Sequence, residues 1–203
     1  MSNPLLVVST AVLPLESRQA LIATAASLAL LMICTRGQHF ASVDALPSAS
    51  WAVFFLVGAL LRPVWAFPAF FVLSSALDLG SLALGRITDW CLSPAYWALA
   101  LAYGALWFGG RVYARVHRDH WGTVPRLVLV LLATSVVTYL ISKGGFYFLS
   151  GRYPDASLAG FIDRIPQYYP RALGTLAGYV GLAFVVYAVA RGLVLRQRSG
   201  APA

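Results

Sequence analysis

Long stretches of Leu, Val, Ala and Phe alternate along this chain with short polar stretches. The apolar runs fall at about 19 to 35, 50 to 61, 64 to 84, 95 to 110, 126 to 149 and 171 to 195. Nearly all the charge and much of the proline lie between them, as expected when each run crosses a bilayer as a helix of about 20 residues. The second run is the short one, because its twelve residues reach only about 18 Å at the helical rise; a start near Ser48 would lengthen it. The rival is a single helix from 50 to 77 kinked at Pro63, which makes five passes and leaves Arg62 deep in lipid, at a cost of a few kcal/mol.

Charge asymmetry favours six passes. With a cytoplasmic start, the inner side collects nine arginines, at 18, 62, 111, 115, 118, 126, 191, 196 and 198, and the outer side keeps five, at 36, 86, 152, 164 and 171. Five passes would set both the 111 to 126 loop and the C-terminal arginines opposite Arg18, against the positive-inside preference. The expectation is therefore an all-α polytopic membrane protein, residues 1–203 forming one transmembrane domain of six helices with both termini cytoplasmic. The first fourteen residues have no basic n-region, and Pro14 ends a run too short for a signal core, so nothing looks cleavable.

Composition removes several function classes. Of 203 residues, 60% are hydrophobic and 11% charged, more apolar side chain than an aqueous domain can bury. The formal charge of +8 comes from fourteen Arg and one Lys scattered between apolar runs, unlike a nucleic-acid stripe. Two cysteines, Cys34 and Cys91, are too few for a disulfide framework or a four-ligand zinc site. There is no CxxC, HExxH, GxSxG or Walker loop.

Polar groups inside apolar runs need a partner or a task. Asp78 interrupts the third run and Lys143 the fifth, at similar depth. The plain alternative is that they pair with each other, or that Lys143 snorkels outward. His39 follows the first run, Tyr96 opens the fourth behind Ser93 and Pro94, and Arg164 stands beside Asp163 in the last outer connection. For these the ordinary readings are a solvated histidine, a belt tyrosine and a surface ion pair. Cys91 precedes a helix start, whose free N–H groups favour thiolate over thiol, although Asp89 opposes this. A thiolate is a soft, strongly donating metal ligand; an inert cysteine or a disulfide with Cys34 are the alternatives. His39, Asp78, Cys91, Tyr96 and Arg164 all fall on the outer half of the bundle, which suits a large amphipathic metal complex arriving from outside. His117 and His120 are taken as solvated loop residues, and the 111 to 126 loop as a contact for anionic lipid.

The stretch from Asp78 through Asp89, Trp90, Cys91, Leu92, Ser93, Pro94 and Tyr96, with His39 upstream and Arg164 downstream, closely resembles the BtuM family of bacterial cobalamin transporters. Those are six-helix inner-membrane proteins similar to the S components of energy-coupling-factor transporters. The resemblance implies that Cys91 is the axial ligand to cobalt, facing the periplasm, and that His39, Asp78, Tyr96 and Arg164 contact the corrin ring or its amides. It brings in cobalamin as the transported ligand and an energy-coupling ATPase module as a candidate partner. Ala25 and Ala29 form a small-xxx-small pair that could dock such a module or simply pack helices.

If Cys91 binds cobalt directly, the simplest geometry displaces the vitamin's tethered base and holds it base-off. Thiolate donation would weaken the opposite bond, so a tightly held upper ligand such as cyanide could leave when reductant is present. His39 is the competing axial ligand. Readings from other classes are an intramembrane thiol enzyme using Cys91, His39 and Asp78 as nucleophile, base and orienter, and a structural or assembly protein whose polar pairs lock helices.

Overall fold

The structure, a computed structural model, describes residues 17–36, 46–61, 63–85, 94–118 and 122–199, the last nine of these by backbone alone. The described elements are all helical: α1 (Arg18–Thr35), α2 (Ser50–Leu60), α3 (Ala66–Ala83), α4 (Ala95–Val116), α5 (Thr123–Tyr139), a π segment (Leu140–Gly144), α6 (Gly145–Leu149), α7 (Leu158–Ile162) and α8 (Ile165–Ser199). Four helical stretches are long and apolar enough to cross a membrane: Arg18–Thr35, Ala66–Ala83, Thr123–Leu149 and Ile165–Ala190. They leave Ile22, Leu30, Val72, Leu129 and Leu182 uncovered, a surface that water would penalise and a hydrocarbon layer accepts. The molecule is a helical membrane protein on this evidence.

The chain breaks between α2 and α3 around Pro63, so no continuous helix joins residues 50 to 77. With eleven residues, α2 is only about 16 Å long, and it forms the centre of the bundle. Val53, Phe54, Phe55 and Val57 are fully enclosed by neighbours from α1, α3, α4 and α8. Thr35 joins the end of α1 to the start of α2: its hydroxyl donates to the Leu31 carbonyl at 2.8 Å and accepts from the Ala49 N–H at 3.1 Å.

The α2–α4 crossing is close because it is made through glycine. A methyl carbon on Gly58 would overlap the Trp107 carbonyl, and one on Gly110 would overlap the Phe55 carbonyl. Small residues allow two helix backbones to approach this far, gaining packing along their whole length. Next to it, Gly109 receives the Thr134 side chain from α5. This explains why α4 runs on to Val116, six residues beyond the expected end at 110: the glycine pair is a packing surface and does not stop the helix.

Near the C-terminus α8 begins at Ile165, earlier than the expected 171, and takes in Pro166 and Pro170. Pro166 is tolerated in the first turn because the N–H it lacks has no helical partner there, whereas Pro170 lies inside the helix one turn further on. The connection expected at 150 to 170 is thus partly helical, holding α7 as well, with Ser157 as its N-cap.

Replacing Gly58 or Gly110 by Ala should lower the thermal midpoint of detergent-solubilised protein, at an overpacking cost of about 1–3 kcal/mol. Gly80→Ala, where an added methyl meets nothing within 4 Å, should leave the midpoint level or raise it. Equal midpoints for all three variants would contradict the close crossing.

Candidate functional site

Four helices converge on one buried guanidinium. Arg36, the residue that closes α1, is 6% exposed. Its Nε donates to Asp78 Oδ1 at 2.9 Å and its Nη2 to Asp78 Oδ2 at 2.7 Å, a two-point fork across to α3. Its Nη1 donates to Ser50 Oγ at 2.7 Å at the start of α2 and to Tyr103 Oη at 2.8 Å on α4. A guanidinium carries five N–H donors in a fixed plane, and this arrangement uses most of them. Tyr103 is itself fixed by stacking on Phe54, with ring centroids 4.2 Å apart.

Asp78 is the outward member of the pair, its side chain 18% exposed against 7% for Arg36. The Tyr96 hydroxyl donates to Asp78 Oδ2 at 3.1 Å. Tyr96 and Tyr103 lie seven residues apart on α4, two helical turns, and so share a face. The carboxylate therefore faces a cation from α1 and a phenol from α4. The partner of Asp78 is Arg36 and not Lys143. Lys143 lies in the π segment, exposed and without a polar partner among the described residues.

The other sequence candidates divide. Asp78 and Tyr96 are in direct contact. Arg164, in the turn between α7 and α8, lies over the Tyr147 and Tyr153 rings at 5.5 and 4.8 Å, instead of forming the surface ion pair with Asp163. That aromatic cluster, with Tyr139 and Phe161, meets the central core through Trp51, which packs against both. His39 and Cys91 lie outside the described residues, as do Asp89 and His120. Cys34 is half-buried in the last turn of α1. Among the described residues no group of three or more metal-binding side chains comes together.

His117 is not a solvated loop residue. It closes α4 at 3% exposure, and its Nδ1 lies 2.9 Å from Tyr113 Oη and 3.1 Å from Thr123 Oγ1. These groups tie the end of α4 to the start of α5, and Tyr113 and His117 border a cavity of about 530 Å³ between α1, α2 and α8. The cavity is lined by the early part of α1, the later half of α2 and the last turn of α4, so it lies at the opposite end of the bundle from Arg36 and Asp78.

Comparison of the chain with protein-family models and with curated proteins finds no match.

Arg36 and Ser50 were not among the sequence candidates, and Arg36 had been counted with the outer loop arginines. Two signals pointed to it: an acid inside an apolar run requires a counter-cation, and Arg36 directly follows the run of α1. Removing one member of a buried pair leaves the other charge without compensation, at a cost of about 3 kcal/mol. Arg36→Leu should therefore lower the thermal midpoint more than the double variant Arg36→Leu/Asp78→Leu. A double variant that falls as far as the two single variants combined would show that the pair is not coupled.

Proposed function

We propose that the protein binds cobalamin at the periplasmic face of the bacterial inner membrane and carries it inward, working as a six-pass bundle with both termini in the cytoplasm. In this reading Cys91 supplies the lower axial ligand to the cargo's cobalt and holds it base-off. Asp78, Tyr96, His39 and Arg164 meet the corrin and its amides.

The observation that carries the reading is the contact between Asp78 and Tyr96. One stands near the end of α3 and the other at the start of α4. The segment between those helices holds Cys91, so three positions of the family pattern belong to one short stretch of chain. A hydrogen-bonded carboxylate and phenol beside that stretch can recognise neutral amides, which are what the corrin periphery offers. On the neighbouring segment Arg164 rests on the buried Tyr147 ring and the half-buried Tyr153 ring, a steadied cation that can donate to an amide oxygen of the corrin periphery.

Against the thiol-enzyme alternative, both Asp78 oxygens are held by Arg36. The Asp78 charge is already balanced by Arg36, whereas an orienter works by stabilising the charge that forms on the histidine base. With cyanocobalamin as cargo and an added chemical reductant, cobalt(III) would gain an electron and cyanide would leave with its bonding pair. Thiolate donation from the other side assists that departure.

Purified protein incubated with cobalamin and desalted should stay coloured, with an absorption band displaced from that of the free vitamin. Cys91→Ala should lose the displacement, and Cys34→Ala should keep it. Colourless wild-type protein, or an unchanged band in Cys91→Ala, would sink the reading.

A further inference from the structure

The carboxylate of Asp78 offers about four acceptor positions. Arg36 and Tyr96 occupy three of them: one on Oδ1 from Nε, and two on Oδ2 from Nη2 and the phenol. The fourth, on Oδ1, is left. Tyr96 uses its only proton on Asp78, and the Ser75 hydroxyl stands beside its oxygen. Arg36 lies behind both at 6% exposure, directed toward Asp78, Ser50 and Tyr103. A ligand approaching this end of the bundle therefore meets the remaining acceptor of Asp78, and the positive charge of Arg36 is out of its reach.

That polarity depends on Arg36. The guanidinium takes one lone pair from each Asp78 oxygen and so fixes where the remaining acceptor points. The two-point fork fixes the charge and the plane of the carboxylate together. We propose that Arg36 is a positioning residue that sets specificity, holding Asp78, which Tyr96 steadies, as an acceptor that reads the N–H of a neutral side-chain carboxamide and rejects a carboxylate in its place. The inference rests on the cobalamin reading and deepens it: Arg36 touches no part of the cargo and decides which chemical form of its periphery is admitted. A carboxylate there would face the Asp78 charge across a short gap without a proton to share, and like charges brought together in this way are strongly disfavoured.

The test uses full-length purified protein and two kinds of probe: cobalamin itself, and each of its derivatives in which one corrin amide has been hydrolysed to the acid. Affinities are read by titrating the absorption band. Wild-type protein should bind at least one monocarboxylate about tenfold or more weaker than cobalamin. In Arg36→Gln and in Asp78→Asn, whose amide can turn its NH₂ outward, the ratio for that derivative should shrink to about threefold or less. Asp78→Asn keeps the side-chain shape and carries the test if Arg36→Gln does not fold. Equal binding of all derivatives by wild-type protein overturns the proposal while cobalamin binding itself stands. So does a preference that persists in the variants, or a loss of affinity shared equally by parent and derivative, the mark of a purely structural arginine. Wild-type protein that binds neither probe overturns the cobalamin reading and this inference with it.

Discussion

An ionised guanidinium and an ionised carboxylate are held together where hydrocarbon and packed side chains replace water, and the rest of this end of the molecule is arranged to make that tolerable. Taking either ion out of water alone is expensive, so Arg36 is given an oxygen partner from each of three neighbouring helices. Those partners are what bring α1, α2, α3 and α4 to common positions. The pair also explains the stacking of Tyr103 on Phe54, since the phenol that satisfies Nη1 must be held in place. An electrostatic requirement at one point thereby orders aromatic packing one layer below it.

The opposite end is organised by shape. There the α2–α4 crossing brings backbone against backbone at Gly58 and Gly110, while α1 and α8 stand off from α2 around the cavity. The first helix is thus closely held at its last residue and loosely packed along its earlier part. His117, Tyr113 and Thr123 tie the far end together through hydrogen bonds between their side chains.

Much of the architecture was legible because apolar runs in a membrane protein are set by bilayer thickness, and α1, α2 and α3 begin and end close to the expected positions. Where expectation and structure part, local composition carried a second meaning. The fourth apolar run stops at 110, yet the helix continues to Val116 with Gly109 and Gly110 as a contact surface, and Pro166 and Pro170, expected in a connection, lie in α8. Of the site, the outer-half placement of Asp78 and Tyr96 was legible from the polar interruptions of their runs, while their bond to each other was not. Arg36 did not stand out, since its partner is forty-two residues away and a run of sequence does not state which of several outer arginines folds inward. Arg164 shows the same limit: its neighbour Asp163 was the obvious partner along the chain, and two tyrosine rings take that place in space.

The brevity of α2 bears on how the chain is made. A helix of eleven residues spans little more than half of a hydrocarbon layer of about 30 Å, and here it is screened from lipid by helices on every side, α8 among them. Until α8 leaves the ribosome that screen is incomplete, and the nascent chain must shield the apolar side chains of α2 with fewer partners than the finished protein supplies. Arrival of the last helix completes the cover, so the half-built chain depends on its surroundings far more than the finished one.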